Sequence, residues 1–249
     1  MLRKRLVTVL TFNDGVLFRT KEFQPDYRYT LNFVDAWAVD EIVVLDVTRP
    51  GTGDRENFYG VVELFSERCF VPLSAGGGVR NIEDFRRLLN LGADKVVINT
   101  AALERPEFIS EAAALYGAQC VVVSMDAKKK ERGDYEVYSH FGARPTGQSP
   151  AGWAKRAEEL GAGEIFVTAI DRDGSLEGYD NELNRLVSEA VKIPVLVCGG
   201  AGNWQHFVDG FVQGKAAAVC TACIYHFTDT SIRSAKKYLA TAGIPVRTA

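Results

Sequence analysis

Residues 73–81 read Leu73-Ser-Ala-Gly-Gly-Gly-Val-Arg-Asn81, and residues 196–203 read Leu196-Val-Cys-Gly-Gly-Ala-Gly-Asn203. Each is a short apolar run that breaks at glycines and ends on an asparagine. Helix-like periodicity follows both, with Phe85 and Phe207 in matching places. The pattern is a strand, a tight turn and a capped helix, and it occurs twice, about half the chain apart. A glycine-rich turn leading into a helix presents unpaired N–H groups where the helix dipole favours negative charge. Two such turns imply a ligand with a phosphate at each end.

Working outward, short β-branched runs alternate with helical patterns along the whole chain. Strands are expected at Leu6–Phe12, Glu41–Val47, Phe70–Ala75, Lys95–Asn99, Cys120–Asp126, Glu164–Ile170, Val195–Cys198 and Ala216–Cys220. Most are continuously apolar, as parallel strands covered on both faces should be. Between them, Asn81 caps a helix with Ile82, Phe85, Leu88 and Leu89 on one face. Ser149-Pro150 opens another that carries Trp153, Ala157 and Leu160 and stops at Gly161, and Pro106 and Gly117 bracket a third. Eight strand–helix units in 249 residues have the size and rhythm of a (β/α)8 TIM barrel. A doubly wound open sheet is the alternative, but it rarely reaches eight such regular units. No linker divides the chain, so residues 1–249 are expected to form one domain. The stretch Tyr135–His140 alternates like a strand and predicts a β-hairpin after the fifth barrel strand.

The repeat extends beyond the glycines. Glu41-Ile-Val-Val matches Glu164-Ile-Phe-Val, Leu73 matches Leu196 at the same spacing, and Gly92 matches Gly214 one residue short of it. The barrel therefore reads as two duplicated half-barrels.

Composition excludes several classes. A formal charge of −3 gives no general attraction to nucleic acid or anionic lipid. No apolar run is long enough to span a membrane, and the N-terminal apolar stretch is too short and β-like for a signal peptide. Cys69, Cys120, Cys198, Cys220 and Cys223 fall mostly in apolar runs without metal-ligand spacing, and read as buried reduced thiols of a cytoplasmic protein. Only three histidines are present, at 140, 206 and 226. No metal or other cofactor is expected.

In such a barrel the working face lies at the C-terminal ends of the strands. Thr11 and Asn13, Asp46, Gly76–Gly78, Asn99 and Thr100, Asp126, Asp171 and Asp173, Gly199 and Gly200, and Ala222 and Cys223 fall there. Gly78 with Asn99 and Thr100 is a candidate cradle for one phosphate, and Gly174 with Gly200 and Ala222 for the other. Asp126, at the end of an apolar strand, reads as a helix cap or an acid/base group at the mouth. At the opposite end, Arg5, Glu41, Lys95 and Glu164 begin four strands. Balanced charges at equivalent depth predict a ring closing the barrel floor, and four independent solvated ends are the alternative.

With these residues assembled, the chain resembles the cyclase subunit of imidazole glycerol phosphate synthase over essentially its whole length. The most specific stretches are Gly92-Ala-Asp-Lys-Val-Val-Ile-Asn-Thr-Ala101, Thr168-Ala-Ile-Asp-Arg-Asp-Gly174, Gly199-Gly-Ala-Gly202 with His206-Phe207, and Tyr225-His-Phe227. The resemblance implies a duplicated barrel that receives ammonia through its floor from a docked glutaminase and uses it on a two-phosphate substrate at the mouth. It assigns Arg5, Glu41, Lys95 and Glu164 to an ammonia gate and Asp94 to the glutaminase interface. It gives Gly78, Asn99 and Thr100 to one phosphate site, Asp173, Gly174, Gly200 and Ala222 to the other, and the role of general acid to Asp126.

One departure bears on the chemistry. The family's general base is an aspartate on the first strand, and Thr11 stands in its place. Losing a general base costs about 10²–10⁴ in rate. Cys198 and Cys223 replace serines near the second phosphate, and Arg19 and Thr20 replace the Lys-Gly of the first loop. The pattern resembles a paralogue branch in bacterial surface-polysaccharide gene sets, which implies ammonia delivery for amidination of an acetamido group on a phosphorylated or nucleotide sugar. Amidination needs ammonia and an acid, and Asp126 alone supplies the acid. Three further readings stand beside it: an ordinary histidine-pathway cyclase that tolerates Thr11, a weakly catalytic barrel that binds and activates a glutaminase, and a phosphoribosyl isomerase barrel. The four-residue ring argues against the last.

Overall fold

The computed structural model describes residues 3–28, 39–222 and 232–247, with backbone only at 19, 20 and 24–28. The chain opens with β1 (Arg5–Asn13), β2 (Val16–Lys21), β3 (Gln24–Arg28), β4 (Glu41–Asp46), α1 (Arg55–Arg68), β5 (Leu73–Gly76), α2 (Ile82–Asn90), β6 (Lys95–Ile98), α3 (Thr100–Glu104) and α4 (Glu107–Tyr116). It continues through β7 (Val121–Lys129), β8 (Tyr135–Ser139), β9 (Arg144–Pro145), α5 (Pro150–Glu159), β10 (Glu164–Ala169), α6 (Asn181–Ser188), β11 (Val195–Cys198), α7 (Trp204–Val212), β12 (Ala218–Thr221) and α8 (Ile232–Thr241).

Eight strands pair in parallel in the order β1-β4-β5-β6-β7-β10-β11-β12, and β12 pairs back to β1. The sheet is thus a closed (β/α)8 barrel. Helix starts follow the sequence signals: the side chains of Asn81, Ser149 and Asn203 accept from the backbone N–H groups of Asp84, Gly152 and His206. The strand expected from Phe70 begins only at Leu73. Pro72 has no N–H for the ladder but its carbonyl accepts from Ile42 at 3.0 Å, and Phe70 is left 79% exposed.

Strand alternation divides the interior into two layers. Val7, Val9, Val43, Val97, Val122, Phe166, Leu196, Ala218 and Cys220 fill the lumen. Phe12, Phe65, Phe85, Phe108, Trp153 and Phe207 lie between strands and helices, each at most 2% exposed. Truncating one of these aromatics to alanine costs about 3–5 kcal/mol.

The duplication is visible in the packing, with one correction. Phe85 and Phe207 are both fully buried, as their matching positions require. Leu73, however, faces the helices, whereas Leu196 faces the lumen. The counterpart of Leu73 is Val195, which also faces the helices and opens its strand. A one-residue slip in matching two apolar strands turns a side chain to the other face, and apolar runs carry no marker against it.

Both halves also open with a hairpin. The expected one is β7–β8, with Asp126 opposite Tyr138. The other, β1–β2, places Thr11 opposite Phe18 and went unread in the sequence. Its signal was Asn13-Asp14-Gly15, a turn in which Asp14 and Gly15 take φ of 51° and 72°.

Candidate functional site

The barrel floor is built from inward-facing residues at strand starts. Arg5 Nη1 lies 2.7 Å from Glu41 Oε2 and 2.8 Å from Glu164 Oε1. Lys95 Nζ lies 2.9 Å from each of the same two carboxylates. Each acid is therefore shared by both cations, and the four side chains form a closed ring. Ser74, unread in the sequence, also donates to Glu41 Oε1 at 2.9 Å. Burial makes the pairing obligatory, because an unpaired charge on Glu41, 1% exposed, would be costly. Asp94 stands near this end, but its carboxylate accepts from Leu73 N–H at 2.8 Å, which secures the start of β5.

At the mouth, Asp126 is buried and accepts from Asn99 Nδ2 at 2.8 Å. Burial pushes its carboxyl up to about 7; the Asn99 hydrogen bond opposes the rise and the nearby Asp173 charge adds to it. The group therefore holds a proton near neutrality and can give it up there. Asn99 Oδ1 is buried with no hydrogen-bond partner among the described residues. Thr168 stands beside Asp126 in register on the adjacent strand.

The ladder also locates Thr11. Glu41 pairs with Val7 and Leu45 with Thr11; Glu164 pairs with Val122 and Thr168 with Asp126. With Glu41 and Glu164 equivalent, Thr11 is the counterpart of Asp126. The Thr11 hydroxyl donates to the Phe18 carbonyl at 2.5 Å, so it closes the hairpin and offers no base.

The turns after β5 and β11 end on the mouth side. Gly77, with φ 94°, passes so close to β4 that a Cβ would come within 2.1 Å of the Asp46 carbonyl oxygen. Gly200, with φ 103°, makes the same kind of approach to the Gly178 carbonyl. Only glycine fits either place. Gly78, Asn99 and Thr100 follow the neighbouring strands β5 and β6. Asp173, Gly174, Gly200 and Ala222 follow the neighbouring strands β10, β11 and β12. Two details differ from free cradles. Arg55, not singled out in the sequence, donates to the carbonyls of Gly77 and Gly78. Asp173 accepts at its carboxylate from Phe23 N–H at 3.2 Å, so the β2–β3 turn reaches across to it. Cys223 and the motif at residues 225–227 lie outside the described residues, as does the side chain of Arg19. Of the described cysteines, Cys220 is buried while Cys69, Cys120 and Cys198 are only partly so. Among the described residues no helix is long and apolar enough to cross a membrane.

Fold and site together define a duplicated (β/α)8 barrel with a protonatable carboxylate at its mouth and a charged ring at its floor. The model of the family described as histidine biosynthesis protein matches residues 7–231, and the chain belongs to that family. Its members are barrel enzymes, isomerases and cyclases.

Proposed function

We propose that the chain is the ammonia-using barrel of a two-subunit synthase of the cyclase kind, with its chemistry changed to amidination. A glutaminase subunit docks on the floor and releases ammonia at the ring of Arg5, Glu41, Lys95 and Glu164. At the mouth, ammonia adds to the carbonyl carbon of an acetamido group on a phosphorylated or nucleotide sugar. One proton of the added nitrogen passes to the carbonyl oxygen, and Asp126 gives that oxygen a second. The oxygen leaves as water while the carbon–nitrogen double bond forms, and the resulting amidinium nitrogen returns a proton to Asp126. The two glycine turns hold the anionic ends of the substrate.

The observation that carries this reading is the broken symmetry of the mouth. Asp126 keeps a carboxyl poised near neutrality, whereas its counterpart Thr11 has its hydroxyl committed to a backbone carbonyl. One acid suffices to assist a leaving oxygen, while the family cyclisation uses a second carboxylate as base. The test is to give the purified chain ammonium ions and the cyclase substrate, a phosphoribulosyl-formimino aminoimidazole carboxamide ribonucleotide. Negligible formation of imidazole glycerol phosphate is expected; turnover at an ordinary cyclase rate would return the chain to histidine biosynthesis.

The locked Thr11 hydroxyl also favours a second reading, a barrel whose main task is to bind and stimulate a glutaminase. Asp126→Asn separates the two. Loss of amidine product with glutaminase stimulation retained supports the catalytic reading, and retention of both supports the binding one.

A further inference from the structure

Arg49 lies in the loop after β4. Its Nη2 donates to the Phe23 carbonyl at 3.2 Å, and its guanidinium carbon sits 4.2 Å from the centre of the Phe141 ring. Phe23 is in the turn of the β2–β3 hairpin, and Phe141 follows β8 in the turn to β9. Those hairpins grow from β1 and β7, the first strands of the two halves. One cation thus joins the two half-barrels across the mouth.

Each hairpin tip is anchored in turn to one candidate cradle. Phe23 N–H donates to the Asp173 carboxylate at 3.2 Å and Glu22 N–H to the Asp173 carbonyl at 3.3 Å. His140 N–H donates to Thr100 Oγ1 at 3.1 Å. A continuous path therefore runs from Thr100 through His140, Phe141, Arg49 and Phe23 to Asp173, with the guanidinium at its middle. The tips also touch directly: a Cβ on Gly142 would come within 3.1 Å of the Phe23 ring and 3.2 Å of Ile170. Glu22, Phe23, His140 and Phe141 all take positive φ, at 50°, 62°, 52° and 59°. Such backbone persists only where its surroundings hold it, and Arg49 is part of what holds it.

The chemistry of the guanidinium suits it to more than a brace. Stacking on Phe141 occupies its face, and among the described residues it makes one hydrogen bond. An arginine carries five N–H donors in a planar fork that matches oxyanions. The chain of contacts that links one cradle to the other runs through this group.

We propose that Arg49 is the residue through which the barrel reads the middle of a doubly anionic ligand. Its guanidinium takes an acceptor oxygen lying between the two cradles, and it releases Phe23 and Phe141 to do so. Ligand arrival is thereby coupled to opening of the hairpin clasp. This rests on the two-cradle reading of the mouth given above and adds the group that distinguishes a spanning ligand from two separate anions.

The test compares orthophosphate, which fills one cradle at a time, with a five-carbon sugar alcohol 1,5-bisphosphate, which spans both. Calorimetric titration of Arg49→Ala is expected to leave orthophosphate affinity within about twofold and to weaken the bisphosphate about tenfold or more. Arg49→Lys keeps the charge but loses the planar fork, and is expected to recover only a minor part of that loss. Phe141→Leu keeps bulk but removes the ring, so in the ligand-free protein the amides of residues 16–23 are expected to exchange with deuterium several-fold faster. Equal weakening of both probes by Arg49→Ala, or no weakening of the bisphosphate, overturns the role of Arg49 while leaving the cradles intact. Unchanged exchange in Phe141→Leu overturns the clasp. If the unaltered protein binds neither probe, the two-cradle reading itself fails and takes the proposal with it.

Discussion

Thr11 and Asp126 occupy the same position in the two halves of the barrel: Thr11 pairs with Leu45, four residues beyond Glu41, and Asp126 pairs with Thr168, four residues beyond Glu164. Both face the lumen at the mouth, and each stands opposite an aromatic residue of the hairpin that follows, Phe18 or Tyr138. The same slot of the scaffold therefore holds a carboxyl in one half and a hydroxyl in the other.

If that slot decides the chemistry, Thr11→Asp restores part of the family reaction. The variant loses the hydrogen bond to Phe18, about 1 kcal/mol of stability, and gains a general base worth about 10²–10⁴ in rate. Formation of imidazole glycerol phosphate from ammonia and the cyclase substrate is expected to rise from negligible by at least a hundredfold. No rise in a folded variant would mean that the mouth differs from the cyclase in more than this residue.

Asp126 gives a pH dependence with a definite sign. Its folded carboxyl titrates at about 7, above the unfolded value near 4. Between those values the folded state binds more protons than the unfolded one, so this group makes stability fall as pH rises from about 4 to about 7. Asp126→Asn removes the effect. Urea unfolding is expected to show the variant roughly 2–4 kcal/mol more stable than the parent at pH 8 and little different at pH 4.5. Activity of the unaltered chain is expected to fall above pH 7 as the acid is lost. A parent and variant with parallel pH–stability curves would show that burial does not hold the proton on Asp126.

The floor ring was legible in the sequence because four charged residues begin otherwise apolar strands, and charge has few reasons to stand there. The barrel was legible for a related reason: continuous apolar runs separated by capped helices leave little choice of architecture. The exchange of Leu196 for Val195 as the partner of Leu73 shows where that kind of reading stops, since period-two apolar patterns align equally well one residue out. The clasp was harder still. Arg49 and Phe141 sit in loops far apart in the chain, and their meeting depends on the left-handed backbone of Phe23 and Phe141, to which side-chain patterns give no guide. The resemblance gives Asp173 to a phosphate site, and its grip on the β2–β3 turn belongs to the first hairpin, whose only sequence signal is the short turn Asn13-Asp14-Gly15.

The ring also predicts a contrast between buried and surface charge. Lys95→Met leaves Glu41, 1% exposed, with Arg5 and Ser74 alone. Breaking a buried network in this way costs about 3–5 kcal/mol. The exposed pair Arg86–Glu83 has comparable geometry, at 2.7 Å, yet Glu83→Gln is expected to cause no measurable loss. Chemical denaturation of both variants checks this. Similar effects at the two sites would indicate that water reaches the floor ring freely.

A second buried pair holds the last helix to the barrel. Lys236 Nζ, on α8, donates to Asp40 Oδ1 at 2.7 Å, and Asp40 Oδ2 accepts from Leu6 N–H at 2.8 Å. Both side chains are almost wholly buried, at 7% and 5% exposure. Lys236→Met removes the cation and strands the carboxylate, at a cost of about 3–5 kcal/mol. Asp40→Asn added to it leaves an oxygen that still accepts from Leu6 and no longer buries a charge, so the double variant is expected to regain more than half of that loss. This non-additivity distinguishes a stranded charge from lost packing, because a deleted methylene contact would leave the double variant at least as unstable as the single one. Urea midpoints of the parent, both single variants and the double variant at pH 7 decide it, and a strictly additive cycle would show that Lys236 stabilises α8 through its aliphatic stem alone.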